Sequence, residues 1–370
     1  MREDSLKCVI DVDIARAETL PGAFYGSEEV HAAVCNRVLA RSWQFVTDVD
    51  SVRVPGQVYP FTLLAGSLDE PLVLTRDDAD HVHCLSNVCT HRGMILVEDP
   101  GVHRDSCLRC RYHGRRFEMN GRFRSMPEFE RTQGFPTERD DLRPISFEQW
   151  GKLIFACAAE SPLMPFADLM QDMRRRLDWL PHADFKYDAS RSGDFLVKAN
   201  WALYCDNYLE GFHIPFVHAG LNSVLDYGSY ETHLFEWSNL QVGVSKSGEQ
   251  TFALPKGSAD YGRDIAAYYY WLFPNTMFNF YPWGLSINVV RPMGPSLTKV
   301  SFLTYVMDES RLDQGAGTGL DRVEREDESV VEAVQIGVRS RNYTRGRYSP
   351  TREQGVHHFH RLLVKALTTA

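Results

Sequence analysis

Cysteine is scarce in this chain: eight residues in 370, far too few for a disulfide scaffold. No long apolar run goes uninterrupted. The nearest approach, AAYYYWLFPNTMFNFYPWGL at 266–285, is cut by Pro274, Asn275, Asn279 and Pro282, and reads as buried strands and turns rather than a membrane span. Basic charge is not in excess. The formal net charge is −9, which argues against a nucleic-acid partner. There is no internal repeat, no low-complexity segment and no flavin or nicotinamide fingerprint. GAGTGL at 315–320 has the form G-x-G-x-G, but polar text and no strand precede it, so a flexible loop is expected. The opening MREDSLKCVIDVD carries acids where a signal peptide needs an apolar run. Together with free thiols, this leads us to expect a reducing, cytoplasmic setting and no membrane. Hydrophobic content of 44% and charged content of 24% are ordinary, and the length suggests about two domains.

The few cysteines are not scattered at random. Cys89-x-His91 and Cys110-x-x-His113 are separated by residues 92–109. Each pair offers one thiolate and one imidazole, the ligand set of a Rieske [2Fe–2S] centre, in which two His replace two Cys on one iron. Both stretches, CTHRGM and CRYHGRRF, place a Gly shortly after the His, where a small residue lets backbone N–H groups approach the sulfurs. Zinc is the competing reading, since Cys107 makes a C-x2-C with Cys110 and His103 is nearby. Zinc sites pair like ligands, however, and here unlike ligands are paired.

Residues 22–45 fit a helix, with Ser27 as cap and Glu28 and Glu29 in its first turn. From 46 to about 126 short runs with Gly and Pro punctuation indicate an all-β unit, which the run at 145–158 closes. A linker, SPLMPF, leads to helical text from 167. A strand turning into a helix is expected at 194–203, successive strands over 228–306, and helices at 322–341 and 351–367.

A second constellation lies in NWALYCDNYLEGFHIPFVHAGL, 200–221, where Asp206, Asn207, Glu210, His213 and His218 fall within thirteen positions. Glu210 and His213, three apart, would share a helix face. Pro215 would interrupt that helix and let His218 swing to the same point. Two His and one carboxylate make a facial triad with open positions on a non-haem Fe(II). The carboxylate must come from elsewhere, and REDESVVEAVQIGVRS at 325–340 is the best source. There Asp327 would precede a helix with Val330, Val331, Val334 and Val338 on its buried side. Glu326, Glu328 and Glu332 compete with Asp327, and spacing does not choose among them. A centre that delivers single electrons needs an acceptor, and this triad is the one available.

With these residues in view, the chain resembles the large (α) subunit of the Rieske non-haem iron aromatic-ring-hydroxylating oxygenases, and within that family the choline-monooxygenase-like branch. CTHRG, CRYHGRRF, DNYLEGFHIPFVH and REDESVVEAVQIG carry the resemblance, over residues 20–365. It implies an α+β fold: a Rieske [2Fe–2S] all-β domain at 46–160 and a helix-grip catalytic domain, an antiparallel sheet on a long helix, at 161–370. Residues 1–45 would be an N-terminal helical segment packed on the catalytic domain. It further implies that Cys89 and Cys110 bind one cluster iron, His91 and His113 the other, and His213, His218 and Asp327 the single Fe(II). Glu210 would bridge to a cluster histidine of a neighbouring subunit in a homotrimer, and Asn207 would lie near the iron. A reductase or ferredoxin would supply electrons from NAD(P)H. Two departures stand out. Arg111 and Arg115 replace the family's Pro and Trp, adding positive charge beside the cluster. Phe212 replaces a Tyr, removing a hydroxyl near the iron.

The implied activity is O2-dependent hydroxylation of a small organic molecule. Nine aromatic residues between Tyr268 and Trp283 would suit a quaternary amine through cation–π contacts, although alternating aromatics in a sheet usually build core. Aromatic-ring hydroxylation, O- or N-demethylation, and a pure Rieske electron-transfer protein are the alternatives.

Overall fold

The computed structural model describes residues 6, 8–246 and 248–368, so positions 1–5, 7, 247, 369 and 370 of the expected domains lie outside the described residues. The chain divides into two compact units, residues 40–162 and residues 1–39 with 163–370. Among the described residues, no helix is long and apolar enough to cross a membrane.

The expected helix over 22–45 is broken. Ser27 does cap α1 (Glu28–Ala33), its side chain accepting from the Val30 N–H. The helix then loosens into a π turn at Val34–Val38 and a 3-10 turn at Leu39–Arg41. The last part of the expected helix is instead strand β1 (Gln44–Asp48), which starts the smaller unit. The β-branched and aromatic residues Phe45, Val46 and Thr47 account for that switch.

The smaller unit continues with β2 (Gln57–Leu63), β3 (Glu70–Arg76), β4 (Val82–Ser86), β5 (Gly101–Val102), β6 (Cys107–Arg109), β7 (Arg116–Glu118), β8 (Phe123–Ser125), β9 (Ser146–Trp150) and β10 (Leu153–Cys157). These make three antiparallel sheets, β4-β3-β2-β5, β6-β7-β8 and β1-β10-β9. Val58, Val73, Leu85, Leu108 and Phe117 form a core that also contains Cys89 and Cys110. Both cysteines therefore start loops whose roots are anchored in packed apolar side chains.

The larger unit is built on seven antiparallel strands: β11 (Lys186–Val197), β12 (Glu231–Leu234), β13 (Ser238–Val244), β14 (Ile265–Leu272), β15 (Thr276–Tyr281), β16 (Gly284–Gly294) and β17 (Leu297–Val306). Their order is β11-β17-β16-β15-β14-β13-β12. The turn at Pro274-Asn275 joins β14 to β15, and that at Pro295-Ser296 joins β16 to β17, where turn chemistry places them. Every residue of β14 and β15 is buried, as a strand covered on both faces requires. On one face Tyr268 and Tyr270 donate to Asp260 and to Asp172 of the helical stretch α2 (Phe166–Leu169) and α3 (Gln171–Leu177). On the other face, Trp271 packs on Phe359.

That second face carries the long helices. They are α4 (Trp201–Tyr208), then short α5 (Ile214–Val217) and α6 (Ala219–Val224), then α7 (Leu320–Gly337) and α8 (Gln354–Thr368). Asp327 thus lies inside α7 rather than before it. The buried stripe of α7 is Glu324, Val331, Gln335 and Val338, whereas Val334 is exposed and Val330 only half-buried. The helix buries polar groups because the neighbouring backbone uses them. Gln335 accepts from the Asn200 N–H at 2.7 Å and Glu332 from the Lys198 N–H at 2.8 Å, fixing the start of α4. Residues before 40 pack on this unit: Arg37 donates to the Leu367 carbonyl and Gln335 to that of Tyr25.

Candidate active site

In the smaller unit the two ligand loops are built alike. Cys89 N–H donates to the Met94 carbonyl and Gly93 N–H to the Cys89 carbonyl; Cys110 N–H donates to Arg115 and Gly114 N–H to Cys110, all at 2.8–3.0 Å. Gly93 and Gly114 sit at φ of +71° and +75°, which a Cβ would resist. Each loop thus wraps its own cysteine. The two sulfurs are buried and adjacent, and burial first, then the neighbouring sulfur, holds the Cys89 thiol above the ordinary cysteine range. The His91 and His113 rings lie edge-on, with centroids 4.8 Å apart. Burial, with the His113 ring and nearby arginines, keeps His91 below its usual pKa. Nδ1 of His113 is buried without a hydrogen-bond partner. Two neighbouring thiols and two neighbouring imidazoles fit a two-iron cluster, which would ionise the thiols outright. Cys107 stands apart, its thiol donating to Asp105 at 3.3 Å, so the zinc alternative loses a ligand.

The expected surplus of positive charge beside this centre is corrected. Arg111 is exposed and paired with Glu98. Arg115 is buried and paired with Asp140 at 2.7 Å. Its guanidinium lies 4.9–5.6 Å from the ring centroids of Phe117, Phe123 and Phe135. Both charges have a carboxylate partner, so Arg115 acts as much by packing as by charge.

In the larger unit α4 ends at Tyr208, before both histidines, so Glu210 and His213 do not share a helix face. They meet in a non-helical turn. Glu210 Oε2 accepts from the backbone N–H groups of Phe212 and His213, and Oε1 accepts from His213 Nδ1 at 2.6 Å. Pro215 does not interrupt a helix either; it lies in the first turn of α5, where a missing N–H costs nothing. Gly355, opening α8, allows the close approach that braces this turn, because a Cβ there would lie 2.3 Å from the Leu209 carbonyl oxygen.

His213 Nε2 and His218 Nε2 face each other at 3.1 Å. Asp327 Oδ1 lies 3.0 Å from the latter and 3.6 Å from the former. On the far sides of the rings, His213 Nδ1 donates to Glu210 and His218 Nδ1 to Glu326 at 2.8 Å. With their protons held there, both Nε2 atoms present lone pairs to each other and to a carboxylate. Three such groups converging at 3.0–3.6 Å fit a cation, and this spacing is that of donors sharing one face of an ion bound at about 2.1 Å. Burial disfavours a charged His218 ring, but hydrogen bonds and charge from Asp327 and Glu326 outweigh it and raise its pKa. Hydrogen bonding to His218 also holds the Glu326 carboxyl low. Asp327 is therefore the converging carboxylate and Glu326 its support, while Glu332 is committed to Lys198.

A cavity of about 100 Å³ opens beside this triad. Asn207 lines it, together with Tyr208, Tyr230, Tyr269 and Tyr281. Of the nine aromatics singled out in the sequence, only Tyr269 and Tyr281 reach it; the others are core, as strand alternation dictates for half of them. Phe212 does not line it. That side chain is 41% exposed and packs edge-on against Phe216, so a hydroxyl there would not face the triad. The loop at 315–320 is not loose. Ala316 is buried on the cavity wall, and a Cβ on Gly317 would strike the Trp283 ring. Sequence reasoning missed Tyr208, Tyr230 and Glu324. The last is 3% exposed; its Oε2 accepts from Tyr204 at 2.6 Å, and burial pushes its carboxyl up to about 8. Its place one helical turn before Asp327 was the available signal.

Residues 42–136 match the Rieske [2Fe-2S] domain family, and residues 176–369 the ring hydroxylating alpha subunit (catalytic domain). The chloroplastic choline monooxygenase of Arabidopsis thaliana is 32% identical over 95% of this chain and 83% of its own length. The carnitine monooxygenase oxygenase subunit of Escherichia coli K12 is 27% identical over 94% of both chains. In fold, the chain is similar to the quaternary ammonium Rieske monooxygenase CntA in complex with L-carnitine, with TM-score 0.77, 22% identity and 99% of each chain covered. It is also similar to naphthalene 1,2-dioxygenase from Rhodococcus sp., with TM-score 0.73, 18% identity and 94% of each chain covered.

Proposed function

The chain belongs to the Rieske non-haem iron oxygenases of the ring-hydroxylating α-subunit type, and from that premise we propose that it hydroxylates a small quaternary amine. The observation that carries this reading is the cavity wall. Four tyrosine rings, Tyr208, Tyr230, Tyr269 and Tyr281, stand beside the His213–His218–Asp327 triad. Each ring face attracts a quaternary ammonium by about 0.5–1 kcal/mol when exposed and by about 2 kcal/mol when water is excluded. The names of the choline and carnitine monooxygenase relatives support the same substrate class.

In this reading, Cys89, His91, Cys110 and His113 hold the cluster, and His213, His218 and Asp327 hold the mononuclear iron. When bound, these groups supply single-electron transfer and oxygen chemistry. The chain's own residues supply the rest. Glu210 and Glu326 keep the imidazole protons on Nδ1, so that Nε2 stays free to ligate. The tyrosine rings orient the substrate, and Ile214, Leu221, Phe302, Leu320 and Val323 keep water from the reacting centre. Asn207 lies on the wall as a polar contact for substrate.

The proposal extends to a homotrimer in which Glu210 also accepts a hydrogen bond from a cluster histidine of a neighbouring subunit. A separate reductase or ferredoxin brings electrons from NAD(P)H, and the enzyme works in the cytoplasm. The cluster chemistry belongs to the unit at 40–162 and the oxygenase chemistry to the remainder.

The test is iron analysis followed by a substrate screen with a surrogate reductase. About three irons per chain are expected, and choline or a related amine should stimulate NADH and O2 consumption. Two irons would leave an electron-transfer protein. Stimulation by aromatic acids and by no quaternary amine would overturn the substrate class.

A further inference from the structure

The sheet face on one side of the cavity is polar where a core face is ordinarily apolar. Strand register sets Tyr269 opposite Asn279, Asn279 opposite Ser286, and Asn288 opposite Phe302, and all five residues line the cavity. Asn279, Ser286 and Asn288 are each at most 5% exposed, a depth at which an amide or hydroxyl needs a partner. Their hydrogen bonds form a relay. The Ser286 carbonyl accepts from Asn279 Nδ2 at 3.1 Å, which fixes the nitrogen end of that amide. The Tyr208 hydroxyl donates to the other end, Asn279 Oδ1, at 2.8 Å. The same Asn279 Nδ2 donates to Asn288 at 3.0 Å, and the Ser286 hydroxyl donates to it at 3.3 Å, so the Asn288 atom that faces both is its oxygen. The Asn288 amide nitrogen is thereby turned the other way. It has no partner among the described residues. Nor is it sealed in, as Gln241 Oε1 is, so it opens onto the cavity that Asn288 lines.

From this relay we infer that Asn288 determines specificity: its amide N–H donates to an oxygen on the substrate's arm while the tyrosine rings hold the ammonium. The inference rests on the quaternary-amine reading above and narrows it to amines whose arm carries an oxygen acceptor. No Lys or Arg stands among the described lining residues, so that oxygen is met by a neutral donor. A hydroxyl oxygen has the lone pairs to accept from it. The relay holds the donor in place before substrate arrives, so little rotamer entropy is lost on binding. An arm that ends in a methyl group behaves differently. It displaces water from the amide and leaves a buried donor unpaired, a penalty on top of the missing hydrogen bond. A site built to bond a substrate hydroxyl discriminates against the analogue without it for this reason.

The experiment is calorimetric titration of the iron-loaded enzyme with choline, with n-propyltrimethylammonium, in which a methyl group replaces the choline hydroxyl, and with tetramethylammonium as the head group alone. Choline should bind about tenfold more tightly than the propyl analogue. Asn288→Ala removes the donor. It should weaken choline by about tenfold, leave the other two amines unchanged, and keep the iron content. A loss of structure would instead weaken all three alike. That result, or an unchanged choline affinity in Asn288→Ala, overturns the inference. So does equal binding of choline and the propyl analogue to the unaltered enzyme, a result that needs no variant and leaves the quaternary-amine reading standing. If none of the three amines binds, that reading falls, and this inference falls with it.

Discussion

Glu326 sits behind His218, its Oε2 accepting from Nδ1 at 2.8 Å while the opposite ring nitrogen turns to Asp327. Adjacent acids on one helix thus do different work: one converges on the ion position and the other fixes the ring that shares it. Removing such an outer partner costs about 10–100-fold in metal affinity. Glu326→Ala should therefore need about 10–100-fold more free Fe(II) to reload after chelation, whereas Asp327→Ala should fail to reload the mononuclear site. Equal loading of Glu326→Ala and the parent, followed by iron analysis, would refute the supporting role.

Glu210 holds its own turn together by accepting from two backbone N–H groups and from the His213 ring. A glutamine can keep a ring contact through its carbonyl oxygen but loses the charge. Glu210→Gln should keep both the cluster and the mononuclear iron and lower turnover by about 10–100-fold. Rapid mixing of the reduced variant with substrate and O2 locates the defect: the cluster should stay reduced while the parent's oxidises. Wild-type oxidation of the cluster in this variant would remove Glu210 from the electron path.

What the sequence disclosed, and what it withheld, follows from range. Cys89, His91, Cys110 and His113 announce their chemistry because each pair is local, and a thiol two or three residues from an imidazole rarely has another use. The strands of the larger sheet were legible for the same reason, since Pro274-Asn275 and Pro295-Ser296 punctuate runs of β-formers. The choice of Asp327 over Glu326 was not legible. The acids are neighbours, and only the position of His218, more than a hundred residues away, separates their roles. The cavity-facing tyrosines were hidden too. Burial of Tyr268 and Tyr269 is equally complete in pattern, but the face that each strand residue takes depends on the register with β13 and β15. The break after Arg41 was missed because helical spacing continues through Leu39, while pairing of β1 with β10, far along the chain, decides the matter.

Arg115 and Asp140 form a nearly buried pair beside the ligand loops, capped by three phenylalanine rings. The two charges act on the cluster with opposite sign. Arg115→Met should lower the reduction potential and Asp140→Asn should raise it, each by tens of millivolts, in a redox titration followed by the visible spectrum. Potentials that move in the same direction, or not at all, would leave Arg115 a packing residue only. Loss of the pair should also lower the melting temperature, because removing one partner strands the other out of water.

A second buried pair allows a prediction about acid stability. Arg176 joins Asp260 at 2.6 Å and Asp172 at 3.3 Å; Tyr268 donates to Asp260, and Tyr270 to Asp172. Burial alone would raise the Asp260 pKa, but the Arg176 hydrogen bond and charge, with help from Tyr268 and Arg263, outweigh it and hold the carboxyl below its ordinary 3.8. A carboxyl whose pKa is lower folded than unfolded stabilises the fold fully above the unfolded value, and that contribution is lost as pH falls through the folded value. Asp260→Ala leaves Arg176 short of a partner and should cost about 3–5 kcal/mol at pH 7, a fall of roughly 10 °C in melting temperature for a unit of this size. The gap should persist unchanged from pH 8 to pH 5 and narrow as the parent is taken below about pH 4. Thermal melts of parent and variant across that range measure it. A gap that instead widened on acidification would mean that Asp260 is held protonated in the fold and that Tyr268 and Arg176 are not what keep it charged.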